Sequence, residues 1–185
     1  MKKKRLGPKT LLYPMPAVLI GSMVQDKPNF MTAAWCGIAA HTPPAISVAI
    51  QKSRYTLRGI NENRCFSVNI ANSKLLKKVD YCGLHTGLKH DKSKIFEVFY
   101  GDLEKAPMVE ECAVNLECKL INSIELESHM LIVGEIVETF INEDCLKEGK
   151  PDPKKIDPLI YAPEIRKYCT LGEYIGDAFS IGKKE

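Results

Sequence analysis

No apolar run in this 185-residue chain reaches the ~18 residues that a membrane-spanning helix needs. A secretory leader is missing too. Met1-Lys-Lys-Lys-Arg5 is basic, but Leu6-Gly-Pro-Lys-Thr10 breaks any apolar stretch behind it. The expected location is therefore the cytoplasm. Paired-cysteine spacing is absent. The seven cysteines (36, 65, 82, 112, 118, 145 and 169) are odd in number and none forms a CxxC. That excludes a disulfide framework, zinc knuckles and cubane-cluster ligation, and leaves free thiols in a reducing compartment. No GxGxxG follows a strand, and there is no Walker loop, HExxH, GxSxG or evident acid pair. Hydrolytic chemistry and a Rossmann dinucleotide site lose their candidates. Repeats and low-complexity stretches are also lacking.

What is present fits one globular unit. The composition is 45% hydrophobic and 26% charged, which rules out disorder, collagen or a coiled coil as a description of the whole. A chain this long buries roughly 70% of its unfolded surface, so a core needs neither disulfide nor metal. The net charge of +3 misleads, because Lys2, Lys3, Lys4, Arg5 and Lys9 crowd the first nine residues. The remainder carries 21 positive and 23 negative charges, a balance of −2. Residues 1–10 read as a basic, flexible, solvated tail and 11–185 as a single domain. A nucleic-acid binder should show a basic face on its folded part, and none is evident.

Strands dominate the hydrophobic pattern. Ala17 to Val24 is a continuous apolar run. Ala45 to Ile50 alternates, as does Cys65 to Ile70 with Phe66, Val68 and Ile70 on one face. In Cys112 to Leu120 the residues Cys112, Val114, Leu116, Cys118 and Leu120 point one way, and Asn115, Glu117 and Lys119 the other. With Met130 to Ile141 this segment predicts a long antiparallel hairpin. Helices are few: one from about Ser53 to Asn63, another after Ser73 with Gly83 as its stop. Lys147 to Pro158 reads as an exposed loop. Tyr161 to Phe179 reads as packing on the surface or on a partner. The fold class is mainly β, a barrel with helical insertions.

Three stretches could carry chemistry. Pro28-Asn-Phe-Met-Thr-Ala-Ala-Trp-Cys36 combines small residues, hydrogen-bonding side chains and the lone Trp; composition alone favours a structural turn followed by a strand over a ligand site. Gln51-Lys-Ser-Arg-Tyr-Thr56 lies between a strand and a helix start. There, backbone N–H groups, hydroxyls and two bases suit an anion, although an ordinary capped helix uses the same residues. Cys82-Gly-Leu-His-Thr-Gly-Leu-Lys-His-Asp-Lys92 is a basic loop. His85 and His90 stand five apart without a third ligand, so no metal is expected. A plausible phosphate site with few acid–base groups suits a cofactor that performs the chemistry itself.

In this order, these stretches resemble the flavin reductase-like family, the FMN-binding split barrels, and within it the flavoredoxin and archaeal ferric reductase type. The residues that carry the resemblance are Asn29-Phe-Met-Thr-Ala-Ala-Trp35, Pro43-Pro44, Ser53 to Thr56 and Cys65-Phe-Ser-Val-Asn-Ile70. Val79-Asp-Tyr-Cys-Gly83, Lys92 and Leu171-Gly-Glu-Tyr-Ile-Gly-Asp-Ala-Phe179 complete them. The resemblance implies a six-stranded Greek-key split barrel and a homodimer, with FMN near the subunit interface. It implies that Asn29, Met31, Thr32, Ala33, Ala34 and Trp35 line the flavin and ribityl chain. It implies that Lys52, Ser53, Arg54 and Thr56 approach the phosphate, and that His85 and Lys92 also contact the cofactor. Where many relatives have Ser-Gly, this chain has His85-Thr86-Gly87. No protein side chain is expected to act as nucleophile, and Cys36 reads as a small strand residue. The implied activity is transfer of electrons from NADH or NADPH through FMN to free flavin, a ferric chelate or a redox protein. The alternative is a flavoredoxin-type carrier with little direct NAD(P)H activity. No nucleic-acid or membrane partner is expected.

Overall fold

Seven successive buried residues, Val18 to Val24, require a strand covered on both faces. The computed structural model, which describes residues 1–183, supplies both covers. The first part of the chain runs β1 (Met15–Pro16), β2 (Val18–Val24), β3 (Lys27–Ala33), β4 (Cys36–His41) and β5 (Pro44–Gln51), then α1 (Tyr55–Asn63) and β6 (Cys65–Ile70). After α2 (Leu76–Leu84) come the short β7 (Val98–Phe99) and β8 (Met108–Val109). The long hairpin β9 (Val114–Glu125) and β10 (His129–Ile141) follows, then β11 (Leu146–Lys147) and β12 (Lys150–Pro151). The one-turn α3 (Pro153–Ile156) precedes β13 (Ile160–Ala162) and β14 (Lys167–Cys169).

The main sheet has the order β3-β2-β6-β9-β10-β5-β4, with every neighbour antiparallel. Mainly β was expected, and so was the long hairpin. The sheet has seven strands rather than six, because the chain breaks at Ala34–Trp35 and separates β3 from β4. Both of these are edge strands, which is why Pro28 is tolerated within β3. β3 also approaches β5, so the sheet curls toward closure.

The inner face holds Ile20, Met31, Val48, Phe66, Val68 and Ile132 in one core. The outer face of β2 and β3, with Leu19 and Phe30, packs under α2 and the excursion that precedes β9 in a second core with Val79, Cys82, Phe96 and Val109. The excursion before β9 also covers the polar face of that strand. Asn115 and Glu117 do point away from the first core, but they are buried, at 3% and 0% exposure. Their burial is compensated by hydrogen bonds. Glu117 accepts from the Asp102 and Leu103 N–H groups at 3.1 and 2.8 Å. Asn115 donates to Asn69 at 2.8 Å and to the Val109 carbonyl at 2.9 Å. Left unpaired, each such group would cost about 1–3 kcal/mol.

Lys147 to Pro158 is not a plain loop: it contains the β11–β12 hairpin and α3, which Asp152 caps by accepting from the Lys154 N–H at 2.9 Å. β13 returns to pair with β1 on one side and β14 on the other. Residues 170–183 lie exposed, as do residues 1–14. Among the described residues no helix is long and apolar enough to cross a membrane. The last two residues of the expected domain, 184 and 185, lie outside the described residues.

Candidate functional site

α1 packs against β2 through its buried Leu57, Gly59 and Ile60. That seating points its N-terminus toward the end of β3. The helix has no side-chain cap and no acidic residue in its first turn. The Leu57 N–H donates to the Arg54 carbonyl at 3.1 Å, which leaves the Tyr55 and Thr56 N–H groups at the positive end of the helix dipole. Arg54 occupies the N-cap position. Its guanidinium does not cap the helix; it donates to the Gly83 carbonyl at the end of α2, at 2.7 Å.

Beside Arg54 opens a cleft of about 330 Å³. Thr32, Ala34 and Arg54, three of the expected residues, line it. Thr32 donates its hydroxyl to the Val79 carbonyl and so ties β3 to α2. Asp80, Tyr161, Arg166 and Tyr168 line it as well. The sequence reading missed these four. The aromatic content of Tyr161 to Phe179 was the available signal, but the pairing of β13 with β1 that brings the segment here leaves no local pattern. Tyr168 donates to Asp80 at 2.9 Å. Burial, and then that carboxylate, push its phenol above the usual tyrosine range and keep it protonated.

A second, more polar hollow of about 300 Å³ lies on the other side of α1's first turn, with Asn29, Tyr55, Gly87 and Lys92 in its walls. Asn29 donates to Thr56 at 2.7 Å, which joins β3 to α1. Lys92 is only 3% exposed and donates to the Phe30 and Cys82 carbonyls at 2.9 and 3.0 Å. Burial pulls its ammonium below the usual lysine range, and the Arg54 charge adds in the same direction. Among the described residues neither Arg54 nor Lys92 is paired with a carboxylate.

The remaining expected residues are placed differently. Met31 and Ala33 belong to the barrel core. Trp35, 42% exposed, stacks on His129 with ring centroids 4.7 Å apart and walls a neighbouring furrow that shares Ala34 with the cleft. Lys52 is held by Glu125 at 2.6 Å, and Ser53 is exposed; neither lines the cleft. His85 ends α2 and packs against Tyr81 and His90, with centroids 4.2 and 4.6 Å away. No group of three or more metal-ligating side chains occurs among the described residues. Cys36 is half-buried beside the Trp35 furrow, and desolvation pushes its thiol up to about 12, which leaves no thiolate near neutrality.

The residues fit a phosphate-bearing cofactor. Two cations without acidic partners flank an uncapped helix N-terminus, which is the charge arrangement a phosphate monoester needs. The cleft beside them is walled by threonine, alanine and tyrosine side chains that suit a polyol and a ring.

Comparison with known proteins finds similarity over nearly the whole chain. Residues 10–172 match the model of the flavin reductase like domain. A flavoredoxin from Methanosarcina acetivorans is 44% identical, with TM-score 0.96 over 99% of this chain and 98% of that one. The flavoredoxin of Desulfovibrio vulgaris (Miyazaki F) is 40% identical, with TM-score 0.91 over 98% of this chain and 100% of that one. An FMN-binding protein from Thermus thermophilus, solved with bound 1-cyclohex-2-enone, is 26% identical, with TM-score 0.83 over 96% of this chain and 99% of that one.

Proposed function

The chain belongs to the flavin reductase-like family, and from that premise we propose that it binds FMN and acts as an oxidoreductase. It takes electrons from NADH or NADPH and passes them to an acceptor, whether free flavin, a ferric chelate or a redox protein. The observation that carries this reading is the placement of Arg54 and Lys92, both without acidic partners, around the uncapped start of α1. Arg54 and the first N–H groups of α1 hold the phosphate, and Lys92 adds charge from behind β3. Thr32 and Ala34 border the ribityl chain and ring. Bound FMN supplies hydride acceptance at N5 and release of electrons singly or in pairs, so no protein nucleophile is required. The protein orients the ring and keeps the protonated Tyr168 at the cleft wall.

A second reading is an electron carrier of flavoredoxin type, in which NAD(P)H is a poor donor. The solved flavoredoxins at 44% and 40% identity favour it. We further propose a homodimer in a soluble, cytoplasmic setting, with residues 11–185 as one FMN-binding unit.

A visible spectrum of the purified protein, repeated without oxygen after NADH and then NADPH, separates these readings. A yellow protein that bleaches with a nicotinamide supports the reductase and names its donor. Bleaching only with dithionite selects the carrier. A colourless protein that takes up no added FMN overturns both.

A further inference from the structure

The basic N-terminal segment is absorbed by neither the fold nor the proposed cofactor site. Lys2, Lys3, Lys4, Arg5 and Lys9 supply five positive charges to a chain whose remainder carries −2. No carboxylate among the described residues pairs with any of them. Only the end of the segment lies against the body of the protein. Lys9, Thr10, Leu11 and Leu12 run alongside Met15 and Trp35 and line a furrow of about 450 Å³. A second furrow shares Leu12, Met15 and Trp35 with the first and reaches Ala34, which in turn borders the cleft beside Arg54. The surface is apolar at its centre: Leu12 is 76% exposed, Trp35 42% and Leu11 41%.

We propose that the basic segment and the apolar furrow at Trp35 form a docking surface for an acidic protein partner, brought to the mouth of the cofactor cleft. An exposed apolar centre with a polar rim is the anatomy of a protein interface; here Lys9 lines the furrow, and the other four cations precede it in the chain. Five clustered cations steer an acidic partner and set its orientation. The furrow's continuity with the cleft is what an electron-exchange partner needs; that role rests on the flavoprotein reading, whereas docking itself rests on charge and shape. A second copy of this chain carries the same cations and would bring like charges together.

The test measures binding by isothermal titration of the full-length protein, with an acidic ferredoxin and a basic c-type cytochrome as probes. The salt concentration is raised from about 20 to about 300 mM, which shortens the Debye length severalfold. Ferredoxin binding should weaken about tenfold or more over that range, as expected for steered association, and the cytochrome should not bind. Changing Lys2, Lys3, Lys4, Arg5 and Lys9 together to Gln should abolish both the tight binding and its salt dependence. Leu12→Ser should weaken binding severalfold while leaving the salt dependence in place. Ferredoxin binding that survives the Gln changes overturns the proposal. So does tighter binding to phosphatidylglycerol vesicles or to a short DNA duplex, or conversion of a dimer to a monomer by Leu12→Ser. Flavin absorbance is recorded for each sample, so failure to hold FMN is read separately from failure to dock.

Discussion

Arg54 and Lys52 carry the same charge two residues apart, yet the structure gives them different work. Lys52 is neutralised by Glu125 at 2.6 Å, whereas Arg54 lies in the cleft wall and donates only to a backbone carbonyl. Arg54→Ala should therefore weaken FMN binding about tenfold or more, roughly 1.4 kcal/mol, and Lys52→Ala should change it much less. Quenching of flavin fluorescence on titration measures both, and equal losses would remove the distinction. Lys92 adds a pH dependence. Burial holds its pKa below the ordinary 10.5 in the free protein, and a phosphate nearby favours the protonated form. Binding then takes up a proton between the free and bound values, so affinity falls as pH rises through that window. It should also fall below about pH 6, where the phosphate's second charge is lost. Titration calorimetry in two buffers of different ionisation enthalpy reads the proton uptake, and none at alkaline pH would contradict the assignment. Cys36 makes a third case. Its thiol is raised to about 12 by burial while Cys169 is exposed. Iodoacetamide at pH 8 should label Cys169 and spare Cys36, as peptide mapping would show.

At the scale of elements, the seating of α1 depends on one missing side chain. A Cβ on Gly59 would stand 2.1 Å from the Met23 carbonyl oxygen and 2.8 Å from Val24. Propensity alone predicts that Gly59→Ala stabilises the helix by about 1 kcal/mol. The backbone clash predicts the opposite: α1 is pushed off β2, at a cost of about 1–3 kcal/mol, and its N-terminus moves with it. Urea unfolding and FMN affinity should both worsen, and a more stable variant would mean that the close approach is not real. The same comparison shows what could be read locally. Strands with one-sided alternation, such as Cys65 to Ile70, were found with their bounds because the pattern is written in adjacent residues. The burial of Glu117 was not legible, because its cover is the segment around residues 101–112, folded back over β9. Thr32, Ala34 and Arg54 were legible as a site because they sit on two recognisable stretches. Asp80, Tyr161, Arg166 and Tyr168 were not, because only the closing of β13 onto β1 brings three of them to the cleft.

The whole molecule exposes more surface than its size calls for. A compact monomer of 20.7 kDa should show roughly 8,900 Å². The described chain exposes 12,099 Å². The excess of roughly 3,000 Å² is well above the about 800 Å² that a standard interface takes from each partner, and the exposed terminal segments, residues 1–14 and 170–183, contribute to it. Part of it is the basic N-terminal segment, whose like charges disfavour a second copy as its cover. The C-terminal segment is different: Tyr174, Ile175 and Phe179 are 68%, 96% and 94% exposed and carry large apolar side chains. Near the tip of the long hairpin, Ile121, Ile124 and Leu126 are about half exposed as well, at 49%, 46% and 48%. Apolar area of this extent marks a surface built to be covered, and the proposed homodimer covers it with the same patch from a second copy. Sedimentation should then report twice the 20.7 kDa chain mass. Changing Ile175 and Phe179 together to Asp should shift the molecule toward the monomer. Because both side chains are almost fully exposed within one chain, their replacement removes no core contact, and the melting temperature of the monomer should be unaffected. A dimer that persists through this change would place the interface elsewhere, and a chain that sediments at 20.7 kDa without any substitution would refute the dimer itself.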